Sequence, residues 1–506
     1  MKIAKYLIAG SAAMLAGVGA QAADLPVKAK AVEYVKICSL YGAGFYYMPG
    51  TDTCIKLGGY LRAWMMLNTN SMGVNADSGV GGAANRLSNY YTYRARQYLT
   101  VDTRTATEYG VVRTFSELVF QWTTGGYNGA GTGLTGGATT YNSVGTNATV
   151  GGGQLAVWTA FIQFAGFTFG KAISQFSTPW SEYPGNYAEL PGSSAYDQVN
   201  QVSYTADFGQ GITASFSAQD QVQHDQSNIW NVSAATAAGL ATGTYGANDI
   251  GGSRAPDLIA SLRIDQSWGL FQASLAAHDN HAAYHGATEL TGYPSDKWGW
   301  AGQLALSIKN IPTGPGDSIN MTGVYAKGAT RYVFHDSTLT SFARYGGTSM
   351  AGAYQSLGIA GASDSVFVAG AGQELTTAYG FNGAYNHNWD PHWSSSIFGG
   401  FGAVRYNSTA KGYICGAFVA SLALSSGASG CNPDFNYAVV GTRTVWTPVK
   451  NLSFAAELDY SMIDQKYASG STVVLPLQSG IAKPAGVYEL KDQRSLAIQL
   501  VATRSF

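Results

Sequence analysis

Apolar and polar residues alternate with a period of two along much of this chain. Near the start, Ile55, Leu57, Leu61, Ala63 and Met65 alternate with Lys56, Tyr60, Arg62 and Trp64. In "YTYRARQYLTV", Tyr91, Tyr93, Ala95, Leu99 and Val101 alternate with Arg94, Arg96 and Tyr98. Val112, Leu118 and Phe120 then alternate with Arg113 and Glu117. In the final stretch Leu496, Ile498, Leu500, Ala502 and Phe506 share one face, and Ser495, Gln499, Thr503 and Ser505 the other. A period of two with one greasy face is a half-buried β-strand. The same pattern predicts strands at 156–164, 167–173, 201–208, 212–219, 257–265, 270–278, 298–308 and 318–327. It predicts further strands at 374–385, 393–406, 435–446, 452–462 and 494–506. The total is about sixteen, an even number within the range of bacterial membrane barrels.

The connections alternate as well. Short turns are expected at "AGF" (165–167), "GQG" (209–211), "QSWG" (266–269), "NWDP" (388–391) and "TPVKN" (447–451). Long loops are expected at 123–153, 174–199, 220–256, 279–297, 328–373, 407–434 and 464–493. Short turns on one rim and long loops on the other define an all-β, transmembrane antiparallel barrel with periplasmic turns and extracellular loops. A propeller or sandwich would not segregate loop lengths in this way. The long loops read as insertions into one domain, 23–506, rather than as linkers.

Composition narrows the class. Charged residues make up 12%, against the ~25% usual in soluble domains, while aromatics make up 13% and glycine contributes 64 of 506 residues. Mean hydropathy is −0.03, and beyond the N-terminus no apolar run reaches the ~20 residues of a membrane helix. Few charges, many aromatics and average hydropathy fit strands with one face in lipid and one in water. A secreted soluble β-protein is the alternative. Formal net charge is −1, with no basic excess to bind nucleic acid.

The first residues read as an export signal. Lys2 and Lys5 form a charged start, residues 6–18 an apolar core, and Ala20-Gln21-Ala22 a small-x-small cleavage site. Cleavage is expected after Ala22, giving a signal peptide over 1–22.

The four cysteines, Cys38, Cys54, Cys415 and Cys431, are an even set in an exported chain, which favours disulfides. Three connectivities exist. The local pairs Cys38–Cys54 and Cys415–Cys431 are preferred because each encloses a Gly-rich loop. Zinc is disfavoured by the absence of short ligand spacing.

Two segments carry a family resemblance. "AADLPVKAKAVEYVKICSLYGAGFYYMPGTDTCIKLGGYLRAW" (22–64) resembles the start of the alphaproteobacterial porin family, and "VVGTRTVWTPVKNLSFAAELDY" (439–460) resembles its final hairpin. The resemblance implies an outer-membrane general diffusion porin: a homotrimer of passive channels for ions and small hydrophilic solutes, set in outer-membrane lipid and lipopolysaccharide, with one loop folded into each pore. It implies no cofactor and no catalysis. Loop lengths and the pair Cys415/Cys431 depart from the family pattern, so solute selectivity stays open.

A porin needs charges at a narrow waist to orient dipolar solutes. Strand parity places Lys56, Arg62, Arg94, Arg96 and Arg113 on the polar face as a basic wall. A charge on the lipid face would cost about 2–4 kcal/mol near the midplane. Glu117, Glu457 and Asp459 are acidic counterparts on the wall. The loop "SQFSTPWSEYPGNYAELPGSSAYDQV" (174–199) carries Glu182, Glu189 and Asp197, and is stiffened by Pro179, Pro184 and Pro191. If it folds inward, as the resemblance implies, its acids face the arginines across the pore.

Other motifs carry less. Residues 131–136 match G-x-G-x-x-G but lack a βαβ setting. His278, His281 and His285 have a spacing that could hold a metal, though a polar, solvated loop reads better. No G-x-S-x-G elbow occurs. A substrate-specific channel, a barrel enzyme and an adhesin are the alternative functions.

Overall fold

In the computed structural model, residues 36–70, 82–88, 90–123, 154–181, 183–194, 198–222, 226–335 and 341–506 are described. The expected signal peptide and the 131–136 motif lie outside them. Sixteen strands form the wall. The first four are β1 (Cys54–Asn68), β2 (Tyr91–Thr107), β3 (Gly110–Thr123) and β4 (Gln154–Phe164). Next come β5 (Phe167–Ile173), β6 (Gln198–Asp207), β7 (Ile212–Gln219) and β8 (Asp257–Gln266). Then follow β9 (Gly269–Asn280), β10 (Lys297–Lys309), β11 (Ser318–Lys327) and β12 (Thr377–Asn388). The wall ends with β13 (Trp393–Arg405), β14 (Phe435–Val449), β15 (Leu452–Gln465) and β16 (Gln493–Ser505).

Every strand pairs antiparallel with its sequence neighbour, and β16 closes on β1 with Ala63 opposite Ala502. Closure removes the unpaired edges that an open sheet would expose. The fold is therefore the barrel that alternation predicts. Boundaries differ by a few residues. The predicted strand 374–385 is Thr377–Asn388 in the wall, and Glu374–Leu375 pairs elsewhere.

The outer face is the apolar one. Leu61, Leu275, Leu304, Phe381 and Ile397 are all more than half exposed, which is stable only against lipid. Aromatics stack near both ends of this belt. Trp393, Trp446 and Phe454 lie on the short-turn side, and Trp300, Tyr325 and Tyr379 on the other.

The largest apolar cluster lies among the long loops and the wall ends beside them. Trp230 and Tyr245 pack there with Phe342, Phe418, Phe435 and Tyr488. Two four-stranded sheets, 341–346/355–361/486–490/472–475 and 229–231/247–248/365–367/374–375, frame this cap. The long segment 407–434 also holds a helix, α1 (Ser408–Leu422), started by Asn407 accepting from the Ala410 N–H at 2.9 Å. The pattern of the sequence predicts only a loop here, because an isolated helix this short draws its stability from tertiary packing.

Both expected disulfides are formed. Cys38–Cys54 ties the N-terminal lobe to β1, and Cys415–Cys431 ties α1 to the turn that follows it. Closing a loop of about 15 residues is worth ~3 kcal/mol on the chain-entropy account. The double variant Cys415→Ser, Cys431→Ser is expected to make the cap more protease-sensitive while the barrel stays folded. Limited proteolysis beside a heat-modifiability gel checks this; an unchanged cleavage rate counts against it.

Candidate pore constriction

The loop between β5 and β6 runs inside the barrel. Its carbonyls are held by amide side chains that point inward from the wall. Gln272 and Gln303 donate to Phe176, at 3.2 and 2.8 Å, and Asn382 to Ser181 at 2.9 Å. Asn320 and Asn386 both donate to Pro184, at 2.9 and 3.1 Å. The Trp180 indole N–H donates to Thr322 at 3.1 Å. These wall positions alternate with lipid-facing ones, so the polar parity of β9–β13 supplies a row of donors. The fit is close. Gly192 has φ +96°, and a Cβ there would meet the Phe381 carbonyl at 2.4 Å. A Cβ on Gly380 would lie 2.8 Å from the Gly192 Cα. Only glycine suits both places.

The tip is fastened by an acid. Glu457 on β15 accepts the N–H groups of Tyr187 and Ala188, each at 2.6 Å at its nearest. Gln499 on β16 donates to Glu457 at 3.1 Å and to Asp459 at 2.9 Å, and itself accepts from the Trp64 indole at 3.1 Å. Glu457 and Asp459 are buried behind the loop. Glu457 holds the tip directly, and Asp459 is joined to it only through Gln499.

Opposite and beside the tip stand arginines. The Arg62 guanidinium lies 4.6 Å from the Tyr60 ring and 5.6 Å from Tyr187. Arg94 lies 5.7 Å from Trp64, within electrostatic reach of Glu189 and Tyr183. Arg96 donates to Gln121 at 2.7 Å and sits 4.7 Å from Trp158. A register shift at Glu117/Leu118 leaves Trp158 outside the ladder. Rings under guanidiniums hold these long side chains in place by cation–π attraction.

The structure thus places Arg62 beside Tyr187 of the loop, and Arg94 within electrostatic reach of both Arg96 and Glu189. Lys56 and Arg113 lie away from this group. Lys56 lies near the start of β1, 5.8 Å from the Phe45 ring of the N-terminal lobe. Arg113, close to the short turn before β3, donates to Asp102 at 3.0 Å together with Arg104 at the same distance. One carboxylate between two guanidiniums ties both side chains down near this rim. Glu182 and Asp197 lie outside the described residues. Sequence reading missed Arg443 on β14, which donates to the Asn186 carbonyl at 3.2 Å and lies 4.9 Å from Tyr187. Its inward parity, between Thr442 and Thr444, was the signal available.

The histidine segment is not a solvated loop throughout. His278 is fully buried at the end of β9, and its Nδ1 donates to Asp257 at 2.8 Å. His281 bonds Asp296 at 2.8 Å. Burial follows because the cap covers this rim. Among the described residues no group of three or more His, Cys, Asp or Glu is arranged to hold a metal.

A closed sixteen-stranded barrel, apolar outside and polar inside, with one loop laid across its lumen, is the architecture of an outer-membrane diffusion channel. The chain belongs to the porin subfamily, whose profile matches residues 24–498. It is 30% identical over 284 residues to porin Omp2b of Brucella abortus (strain 2308), covering 55% of this chain and 67% of that one. Porin Omp2b of Brucella melitensis biotype 1 matches to the same extent, 30% over 284 residues. Among solved structures, the outer membrane channel DcaP of Acinetobacter baumannii superposes with a TM-score of 0.55. That match covers 91% of this chain and 99% of the other at 14% identity, a likeness of fold alone. The protein is accordingly a bacterial outer-membrane channel, with the long loops on the extracellular side.

Proposed function

We propose that the chain is a general porin whose waist is the gap between the tip of the 174–194 loop and the arginines Arg62, Arg94 and Arg96. The observation that carries this reading is the loop itself, bonded along its length to the inner wall. The arginines on one side and Glu189, with the acids Glu182 and Asp197 expected further along the loop, on the other create a transverse field. Such a field orients dipolar solutes without binding them tightly. The reading includes no catalytic step and no cofactor; passage is passive, for ions and small hydrophilic solutes.

Recording in planar bilayers tests it. Large, weakly selective steps are expected; absence of steps would favour an adhesin or barrel enzyme. In the triple variant Glu182→Gln, Glu189→Gln, Asp197→Asn, permeability should shift towards anions. The shift should shrink between 0.1 M and 1 M salt, where the Debye length falls from about 10 to about 3 Å. Unchanged reversal potentials would discard the acidic side of the waist.

The reading also includes a homotrimer in lipid and lipopolysaccharide. The outer faces of β1 and β2, with Leu57, Leu61, Leu99 and Val101, are the proposed contact. An SDS-resistant trimer that falls to monomer on boiling is expected. Native mass measurement in mild detergent showing monomer alone would overturn assembly and leave the pore standing.

A further inference from the structure

The turn at 330–335, in the long loop between β11 and β12, touches both stems of the constriction loop. On the first stem, the Tyr332 ring lies 4.6 Å from Phe176. On the second, Gly192 N–H donates to the Val333 carbonyl at 3.0 Å, and Ser193 pairs in parallel with Phe334. His335 Nε2 donates to the Leu190 carbonyl at 2.9 Å. The tip has separate fasteners on the wall, described above.

The turn is fixed to the barrel rim by buried charge. Tyr332 donates its hydroxyl to Asp257 on β8 at 2.6 Å, and His278 on β9 donates to the same carboxylate at 2.8 Å. The other face of the His278 ring, Nε2, lies 3.5 Å from Asp364. Asp364 accepts from the Thr330 N–H at 2.5 Å and its hydroxyl at 2.8 Å, and from Ser227 N–H at 2.6 Å. Asp257, His278, Thr330 and Asp364 are completely buried. Burial by itself would raise the Asp364 carboxyl, but His278 and the two backbone N–H groups outweigh it and hold the group below the usual carboxylate range. Removing one partner from such a cluster leaves an uncompensated buried charge, which is strongly destabilising locally.

We propose that Asp257, His278 and Asp364 form a latch: positioning residues that lock the 330–335 turn, and through it the stems of the constriction loop, in the pore-narrowing position. This rests on the reading of that loop as the waist. The latch joins three separate segments, the β8 and β9 rim, the loop after β7 and the loop after β11, so the waist is set partly from the extracellular cap.

Spin labels test the latch directly in the full-length channel. The four native cysteines are bonded in pairs, so cysteines introduced at Tyr183 in the loop and Tyr109 on the short-turn rim take the labels. A second pair, at Tyr109 and Phe208, reports the wall alone. His278→Ala and Asp364→Ala are expected to at least double the width of the 183–109 distance distribution and leave the 109–208 distribution unchanged. Asp364→Asn keeps an oxygen acceptor for Thr330 but removes the charge, so it should broaden the distribution less than Asp364→Ala, a grading that general loss of barrel stability would not give. If His278→Ala yields no heat-modifiable barrel, Tyr332→Phe, which removes only a hydroxyl, is read in the same way with a smaller broadening. Unchanged 183–109 widths in folded variants overturn the latch. Broadening without any change in conductance or current noise upholds the latch and overturns the loop as the waist.

Discussion

Replacing Glu457 with alanine is expected to raise the single-channel conductance and make the open current noisy. The carboxylate holds the N–H groups of Tyr187 and Ala188 at the tip of the constriction loop. A protein hydrogen bond contributes about 0.5–1.5 kcal/mol net, so two amides represent roughly 1–3 kcal/mol of local fastening. Their loss also leaves two buried donors unpaired, which drives the tip towards water in the lumen. Glu457→Gln keeps the shape and one acceptor oxygen, so an intermediate effect is expected. Bilayer recording of both variants decides. Parent-like conductance and noise in a folded Glu457→Ala channel would show that the tip is held by other contacts.

The triple variant Arg62→Gln, Arg94→Gln, Arg96→Gln is expected to move selectivity strongly towards cations. An anion ~4 Å from one guanidinium gains about 1 kcal/mol in bulk water and about 4 kcal/mol where water is thin. A waist lies between these limits, and each ~1.4 kcal/mol is a factor of ten in partition. Loss of three cations should therefore lower the anion-to-cation permeability ratio by about tenfold or more at low salt. Reversal potentials across a salt gradient measure it. The matching Arg→Lys triple keeps the charge but loses the planar stacking on Tyr60, Trp64 and Trp158. It should retain most of the selectivity. Equal reversal potentials in parent and Gln triple would remove these arginines from the waist.

The barrel was legible because strand parity is a local code. Leu61 and Arg62 are neighbours in sequence and must face opposite sides, lipid and lumen, whatever the rest of the chain does. The inward side of Arg94 and Arg96 could be read for the same reason, while the local disulfides followed from spacing. Height along the pore could not be read. Lys56 and Arg113 share parity with Arg62 and Arg94, yet lie towards the short-turn rim, because position along the axis depends on strand ends and register.

The fasteners of the loop were illegible for a different reason. Glu457 is 270 positions from Tyr187 and looks in sequence like any lumen acid. Only the folded loop gives it two amides to hold. His278 likewise reads as part of a polar histidine run until the cap closes over it and Asp364 arrives from a loop far along the chain.

By itself, then, the sequence determined the antiparallel wall and which side of each strand is apolar, and it favoured the local cysteine pairs. These follow from period two, loop-length alternation and short-range spacing. Tertiary structure alone decided the rest: the bonds that carry the β5–β6 loop across the lumen, the arginines that reach it, and the packing of the long loops into an apolar cap. Those outcomes depend on contacts between residues hundreds of positions apart, where close approach, as at Gly192 against Phe381, and burial of paired charge, as at His278, select one arrangement that no local pattern encodes.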